Sequence, residues 1–467
     1  MKGFRTLLIA ITGLGLAAAL CFGDDSTTTV QLKIKPSGFA SIEIGEIVKG
    51  GLNKKTNQYM NNLFMKQLVA GLSVDAAFDN RNRLDLGLQM QMYNNYPTYA
   101  LRPEYRYLYF YPTLSAAEFS HAFGNVDKPL VTASAGYFPF KYNSDVRNLG
   151  EYLFRTGTYP QYILNYFDFP FVRLCGVHLN FSGEGFYPES NADYDIGKQL
   201  IKNFKLDEIV YTNLQWYAVG DWNEAIIASD KVFDFFEFGL GVSFNSLLSV
   251  DSNFTTPRDA STLYHITYNE TTGKSDSSFY TFKGTKLMAR AAIDFKRLFR
   301  SSLFGKNDLR LYGEAAVLGT KNYPYNITAT GTRGGICYDS IMERIPIMGG
   351  FVFPTFKLLD ALSLEVEYFK SPYPNDIGVM VVHGMPIPGQ ISEGGATDYR
   401  SMRIYKNDNL KWSVYATKTF SRYYSATAQV ASDHLRPLAV NDENVDFEEA
   451  LHATNHWYYM VKLTVAF

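Results

Sequence analysis

Cysteine is nearly missing, with three in 467 residues, and one of these, Cys21, sits in an apolar N-terminal stretch. That excludes a disulfide scaffold and a four-cysteine zinc site. Charge is sparse at 19% of residues, and its 44 basic and 46 acidic side chains leave a net of -2. No basic field is available to hold nucleic acid. Long apolar runs are scarce too: mean hydropathy is -0.15. Beyond the N-terminal stretch nothing approaches the roughly 20 consecutive apolar residues of a membrane-crossing helix. The seven histidines fall in no GxSxG or HExxH setting, so no hydrolase motif is written. The acidic stretch Asn441–Glu449 lacks the glycine and ligand spacing of a calcium loop. No metal and no cofactor is implied. What is abundant is Tyr (34) and Phe (35), nearly all of a 16% aromatic content.

The first residues read as an export signal, 1–23, with Lys2 and Arg5 before an apolar segment and small residues Cys21 and Gly23 before Asp24. A short segment, 24–37, then leads to the first strand at Gly38, and residues 38–467 form one body. The product leaves the cytoplasm.

Period 2 dominates that body. In Arg83–Tyr93, Leu84, Leu86, Leu88, Met90 and Met92 alternate with Arg83, Asp85, Gly87, Gln89, Gln91 and Tyr93. Successive strand side chains point to opposite faces, so this segment separates an apolar from a polar face, whereas a helix would scatter the leucines. The pattern recurs around Leu72, Leu240, Leu287, Leu311, Leu364, Val414 and Ala428. The apolar faces of these runs carry no charge, and the runs approach the length of a tilted bilayer-crossing strand. Aromatics gather near their ends: Phe78, Phe295, Phe353, Phe420, Tyr424 and Phe467 at one rim, Tyr93, Tyr137, Phe244, Tyr368 and Trp457 at the other. Such belts suit headgroup level.

The ending WYYMVKLTVAF places Tyr459, Val461, Leu463, Val465 and Phe467 at alternate positions, with the aromatic residue last. In this the chain resembles the outer-membrane β-barrels of Gram-negative-type bacteria, in particular the general porins. The resemblance implies an all-β, transmembrane, antiparallel up-and-down barrel of about 16 strands (14 or 18 remain open). It also implies that these five residues are the signal read by the barrel-assembly machinery. Outer-membrane lipid and lipopolysaccharide are the implied surroundings, and a homotrimer the implied assembly.

Short and long connections alternate. The long segment Pro139–Pro170 falls between strands five and six, where general porins fold a loop inward to narrow the pore. Its charged residues Lys141, Asp145, Arg147, Glu151 and Arg155 are the candidate constriction. Arg147, Glu151 and Arg155, at spacing four, would line one side of a short helical turn; the alternative is a network that merely holds the loop. Gly183–Leu206 is long for a short-turn connection and reads as a small helix or a miscounted hairpin. On the inward parity lie Arg83, Asp85, Glu237, Arg290, Asp294, Arg310, Glu314, Glu365, Glu367 and Lys411, together with Glu43, Asp75, Lys286 and Lys462. That wall is too balanced for strong ion selection. The expectation is a passive channel for small polar solutes with a mild cation preference. The alternatives are a sugar-specific channel and a non-conducting barrel serving adhesion or envelope integrity. An enzyme is disfavoured, although His178 and Asn180 share the inward face of one strand.

Overall fold

The computed structural model describes residues 32–53, 58–96, 109–154, 172–185, 196–212, 222–245, 247, 263–269, 274–280, 284–299, 302–320, 326–327, 333–334, 341–370, 409–435 and 450–467. The export signal lies outside them.

Sixteen strands close into one antiparallel barrel. In chain order they are β1 Lys33–Lys49, β2 Leu63–Ala77, β3 Asn82–Tyr96, β4 Tyr109–Gly124, β5 Pro129–Phe140, β6 Val172–Ser182, β7 Lys205–Thr212 and β8 Asn223–Val232. There follow β9 Phe236–Asn245, β10 Gly284–Asp294, β11 Arg310–Val317, β12 Pro346–Val352, β13 Ala361–Phe369, β14 Leu410–Thr419, β15 Tyr424–Ser432 and β16 Trp457–Ala466. Each pairs with its sequence neighbours, and β1 closes on β16 from Phe39↔Ala466 to Lys49↔Trp457. Closure leaves the barrel no sheet edge, the condition for a β-structure in hydrocarbon. The strand number is the one the sequence indicates. The first strand differs: it begins at Lys33, five residues ahead of Gly38, because Lys33–Gly38 pairs with Leu72–Ala77 of β2.

The alternation runs as the period requires. Leu72, paired with Leu88, is 62% exposed and Leu88 is 64% exposed, while Gly71 and Gln89, also paired, are buried on the other face. Leu86, Met90, Leu240, Leu287, Leu311, Val414, Val461 and Leu463 are likewise exposed. A continuous apolar outer surface of this kind is matched to hydrocarbon rather than water. The outward parity is not free of charge everywhere, since Glu208 and Glu224 hold it on the adjacent strands β7 and β8.

Connections at one end are short. Between β2 and β3, Asp79 Oδ1 accepts from the N–H groups of Arg81 (2.6 Å) and Asn82 (2.7 Å), an Asx-type turn. The β8–β9 turn is Phe233–Phe235, with left-handed φ at Phe233 (54°) and Asp234 (59°). Buried Asp308 ties two turns together, accepting from Gly305 N–H and from Thr355 N–H. The long β6–β7 connection contains a helix, Ile196–Asn203, the first of the two forms its length allows. At the opposite end the connections are longer, and three of them carry small hairpins of their own.

The inner face departs from the expected polar lining. On β6–β12 the inward positions include Leu174, Ile209, Tyr211, Ala225, Ile227, Met288, Tyr312 and Met348, all buried in one apolar cluster with residues of the β5–β6 loop. A loop that enters a barrel must bury an apolar face against the wall to be held there. This part of the wall is built for that.

Candidate functional site

From β5 the chain turns into the bore as Lys141–Phe154. Val146, Leu149, Tyr152, Leu153 and Phe154 are all 2% exposed or less. Gly241 on β9 faces Leu153, and a Cβ there would stand 2.5 Å from the Leu153 side chain, so glycine makes the space. The stretch is a series of turns and bends, without a helical turn. Gly150 (φ 100°) and Glu151 (φ 62°) bend the backbone through the left-handed region. The i, i+4 expectation therefore fails: Arg147 and Glu151 are not stacked on one helical side, and Arg155 lies outside the described residues.

A loop without a ladder must find other acceptors for its N–H groups. Two wall carboxylates supply them, and a third takes a hydroxyl of the loop. Glu314 on β11 accepts from Tyr142 Oη (2.6 Å), Asn143 Nδ2 (2.9 Å) and the Tyr152 N–H (2.9 Å). Glu365 on β13 accepts from the N–H groups of Arg147 (2.5 Å), Asn148 (2.7 Å) and Leu149 (2.9 Å), and from Tyr312 Oη (2.7 Å). Glu367, two residues on and on the same face, accepts from Tyr152 Oη (2.8 Å). All three carboxylates are buried. Burial, with Glu314 and Glu151 close by, holds the Tyr142 hydroxyl well above its ordinary pKa of 10.0. It is thus a neutral donor.

The sequence candidates divide accordingly. Glu151 is 1% exposed and accepts from the Tyr142 and Asn143 N–H groups, so it braces the loop from within. Lys141 Nζ donates to the Val146 carbonyl (2.7 Å). Arg147 lays its guanidinium over the Tyr415 ring (5.9 Å). Asp145 pairs with Arg310, which also bonds Glu237 (3.0 Å), and Glu237 in turn receives Arg290 Nη1 (2.8 Å). These four form a half-buried charge chain from loop to wall. Lys411, also buried, donates to the Leu451 carbonyl (2.7 Å). Arg83 pairs with Asp75 and lies 3.6 Å from Asp85 beside the β2–β3 turn, and Asp294 lies 3.6 Å from Lys296 at the short-turn end. Neither group meets the loop.

Several partners carry no signal in the sequence. His178 and Asn180 both bond Asp207 of β7 (2.8 and 2.7 Å), and the His178 ring lies 5.2 Å from Phe140. A second buried cluster fills the long-loop mouth, with Ile47, Met60, Leu63, Met65, Leu435, Leu451, Tyr458 and Met460. It is stitched by backbone bonds from Ala450 to Leu435, Gly51 to Ala450 and Met60 to Gly51. Alternating inward tyrosines opposite acids are the nearest thing to a sequence signal for such contacts. Inward polar groups along the wall are strongly buried too, among them Ser41 and Glu43 (2%), Ser363 (0%) and Ser413 (1%).

The barrel is similar to those of porins. A mutant of Rh. blastica porin matches at 10% identity with TM-score 0.42, over 93% of this chain and 100% of that one. Pseudomonas putida OprB in its high-pH structure matches at 8% with TM-score 0.46, over 93% and 94%. These likenesses concern the fold. No protein-family model and no curated protein matches the sequence.

Proposed function

We propose that the protein is a channel of the bacterial outer membrane that passes small hydrophilic solutes by diffusion, through a bore narrowed by the β5–β6 loop. The observation that carries this reading is the closed barrel with an apolar outside and a wall-anchored loop inside. A sixteen-stranded barrel encloses more space than its own wall side chains fill, which leaves a water path for a loop to regulate. Acids slightly outnumber bases on the inner wall, so the ion selectivity is a mild cation preference. Insertion follows export through a cleaved signal and recognition of Tyr459, Val461, Leu463 and Val465 on β16 and of Phe467 just after it, whose outward exposure leaves them accessible to assembly machinery. Lipid and lipopolysaccharide then surround the belt. The proposed assembly is a homotrimer, which would set Glu208, on the outward parity of β7, against protein rather than hydrocarbon.

The near-complete burial of Ser41, Glu43, Ser363 and Ser413 favours a second reading, a closed barrel that serves adhesion or envelope integrity. Purified protein in planar bilayers separates the two. Stepwise openings with a reversal potential slightly favouring cations support the channel. Silence across a wide voltage range supports the closed barrel, and clear anion preference contradicts the selectivity assigned.

A further inference from the structure

Two contacts cross between loops that the chain places far apart. Asn148, on the β5–β6 loop, directs Nδ2 at Asp433 Oδ2 (2.5 Å), and Asp433 is the first residue after β15. The same carboxylate accepts from Tyr458 Oη (2.7 Å) and Gln429 Nε2 (3.3 Å), and its other oxygen from the Leu435 N–H (2.9 Å). Next along, His434 Nε2 lies 2.7 Å from Glu367 Oε1, while Tyr152 of the β5–β6 loop holds Glu367 Oε2. Asp433, His434 and Glu367 are buried, at 4% exposure or less. The apolar clusters on either side of this seam belong one to the β5–β6 loop and the other to the β15–β16 and β1–β2 loops.

We infer that Asp433 and His434 are positioning residues for the bore: they make the start of the β15–β16 loop a second inward element that holds the β5–β6 loop from its far side. The width of the path is then set by two loops fastened to one another, with Glu367 shared between them. The residues act through the loop they hold and need not touch a passing solute. Buried hydrogen bonds to carboxylates are individually strong because nothing replaces them when one partner is removed. The seam is therefore a fastening rather than a casual contact.

The inference rests on the channel reading for its consequence but not for its test. Full-length protein is refolded as wild type, D433A/H434A, N148A/Y152F and the fourfold variant. Retained heat-dependent gel mobility shows that each barrel is closed. Amide hydrogen exchange across Arg147–Tyr152 is measured together with single-channel conductance and the size limit for sugars in liposome swelling. Cutting the seam from either side is expected to speed exchange of the loop amides about tenfold or more, the factor one lost hydrogen bond to a charged group is worth. The fourfold variant should fall short of the sum of the two pairs, because both pairs cut the Asn148–Asp433 bond while the Tyr152 and His434 bonds to Glu367 are cut separately. Conductance and the sugar limit should rise in step. Unchanged exchange in D433A/H434A, or strictly additive effects in the fourfold variant, overturns the inference whatever the conductance. Faster exchange in a protein that never conducts upholds the fastening and refutes the channel.

Discussion

Replacing Glu365 by Gln is the sharpest perturbation of the loop. The carboxylate takes four donors: the N–H groups of Arg147, Asn148 and Leu149, and Tyr312 Oη. In E365Q one oxygen still accepts from Arg147 and Tyr312, but the new amide nitrogen meets the Asn148 and Leu149 donors head-on. Two hydrogen bonds to a charged acceptor, at about 1.5–3 kcal/mol each, are lost. Part of that is offset because a neutral amide costs less to bury than a carboxylate. The net loss of loop docking is about 2–4 kcal/mol, roughly a thirty- to several-hundredfold rise in the undocked fraction at tenfold per 1.4 kcal/mol. Trypsin supplies the assay, because the Arg147 peptide bond is protected only while the loop is docked. In detergent-folded protein, E365Q should be cut at Arg147 far faster than wild type while the barrel strands stay resistant, and conductance should rise. Equal cleavage rates and equal conductance would mean that Glu365 is lining and the loop is held by apolar burial alone.

Three further outcomes test the wall, its ending and its turns. Leu88→Arg, near the middle of β3 on the outer face, should cost about 2–4 kcal/mol of folding into vesicles if that face meets hydrocarbon; a change within about 0.5 kcal/mol, ordinary for a water-facing site, contradicts it. Removal of Phe467, which is exposed and bonds Gly38 through its backbone, should sharply lower the amount of assembled protein in cells while unaided refolding in detergent persists. Equal cellular assembly refutes the assigned signal. Asp79→Ala should lower the urea midpoint at neutral pH. Burial pushes the Asp79 carboxyl up, but the Asn82 side chain, the Arg81 and Asn82 N–H groups and the His121 charge together hold it below its ordinary 3.8. Its contribution is thus present above that value and is lost as pH falls through the lowered one. The gap between variant and wild type should close in acid, and a gap that widens there refutes the turn assignment.

The fold was legible because a strand has a period of two and charge is costly in hydrocarbon. Leu84 to Met92 and Tyr459 to Phe467 therefore read as they stand. The position of the infolded loop was legible from its place between strands five and six together with the resemblance to general porins. What the loop does inside was not. Ile209, Tyr211 and Ile227 read as a poor match to a polar lining, and only contact with Leu153 and Phe154 explains them. Glu151 and Arg147 read as a helical pair because spacing four is the helix period, yet the left-handed backbone at Gly150 and Glu151 prevents that turn. Asp433 carries no local pattern at all, since its partners Asn148 and Tyr458 come from distant parts of the chain.

The inner carboxylates change meaning once the loop is in place. Counted along the sequence they are among the acids that slightly outnumber the bases of the inner wall, and such an excess in a pore favours cations. In the structure Glu314, Glu365 and Glu367 face backbone N–H groups, tyrosine hydroxyls and a histidine, and are almost without exposure. Their spacing suits the anchoring of a loop, because Glu365 and Glu367 lie two residues apart on β13, so both project inward and each reaches a different part of it. A carboxylate is fitted to this role because its two oxygens accept several donors at once, which a loop crossing a bore has in excess. Acids committed in this way hold the loop and contribute little field to a passing ion. The weak selectivity assigned to the channel follows from that commitment as much as from the near balance of acids and bases.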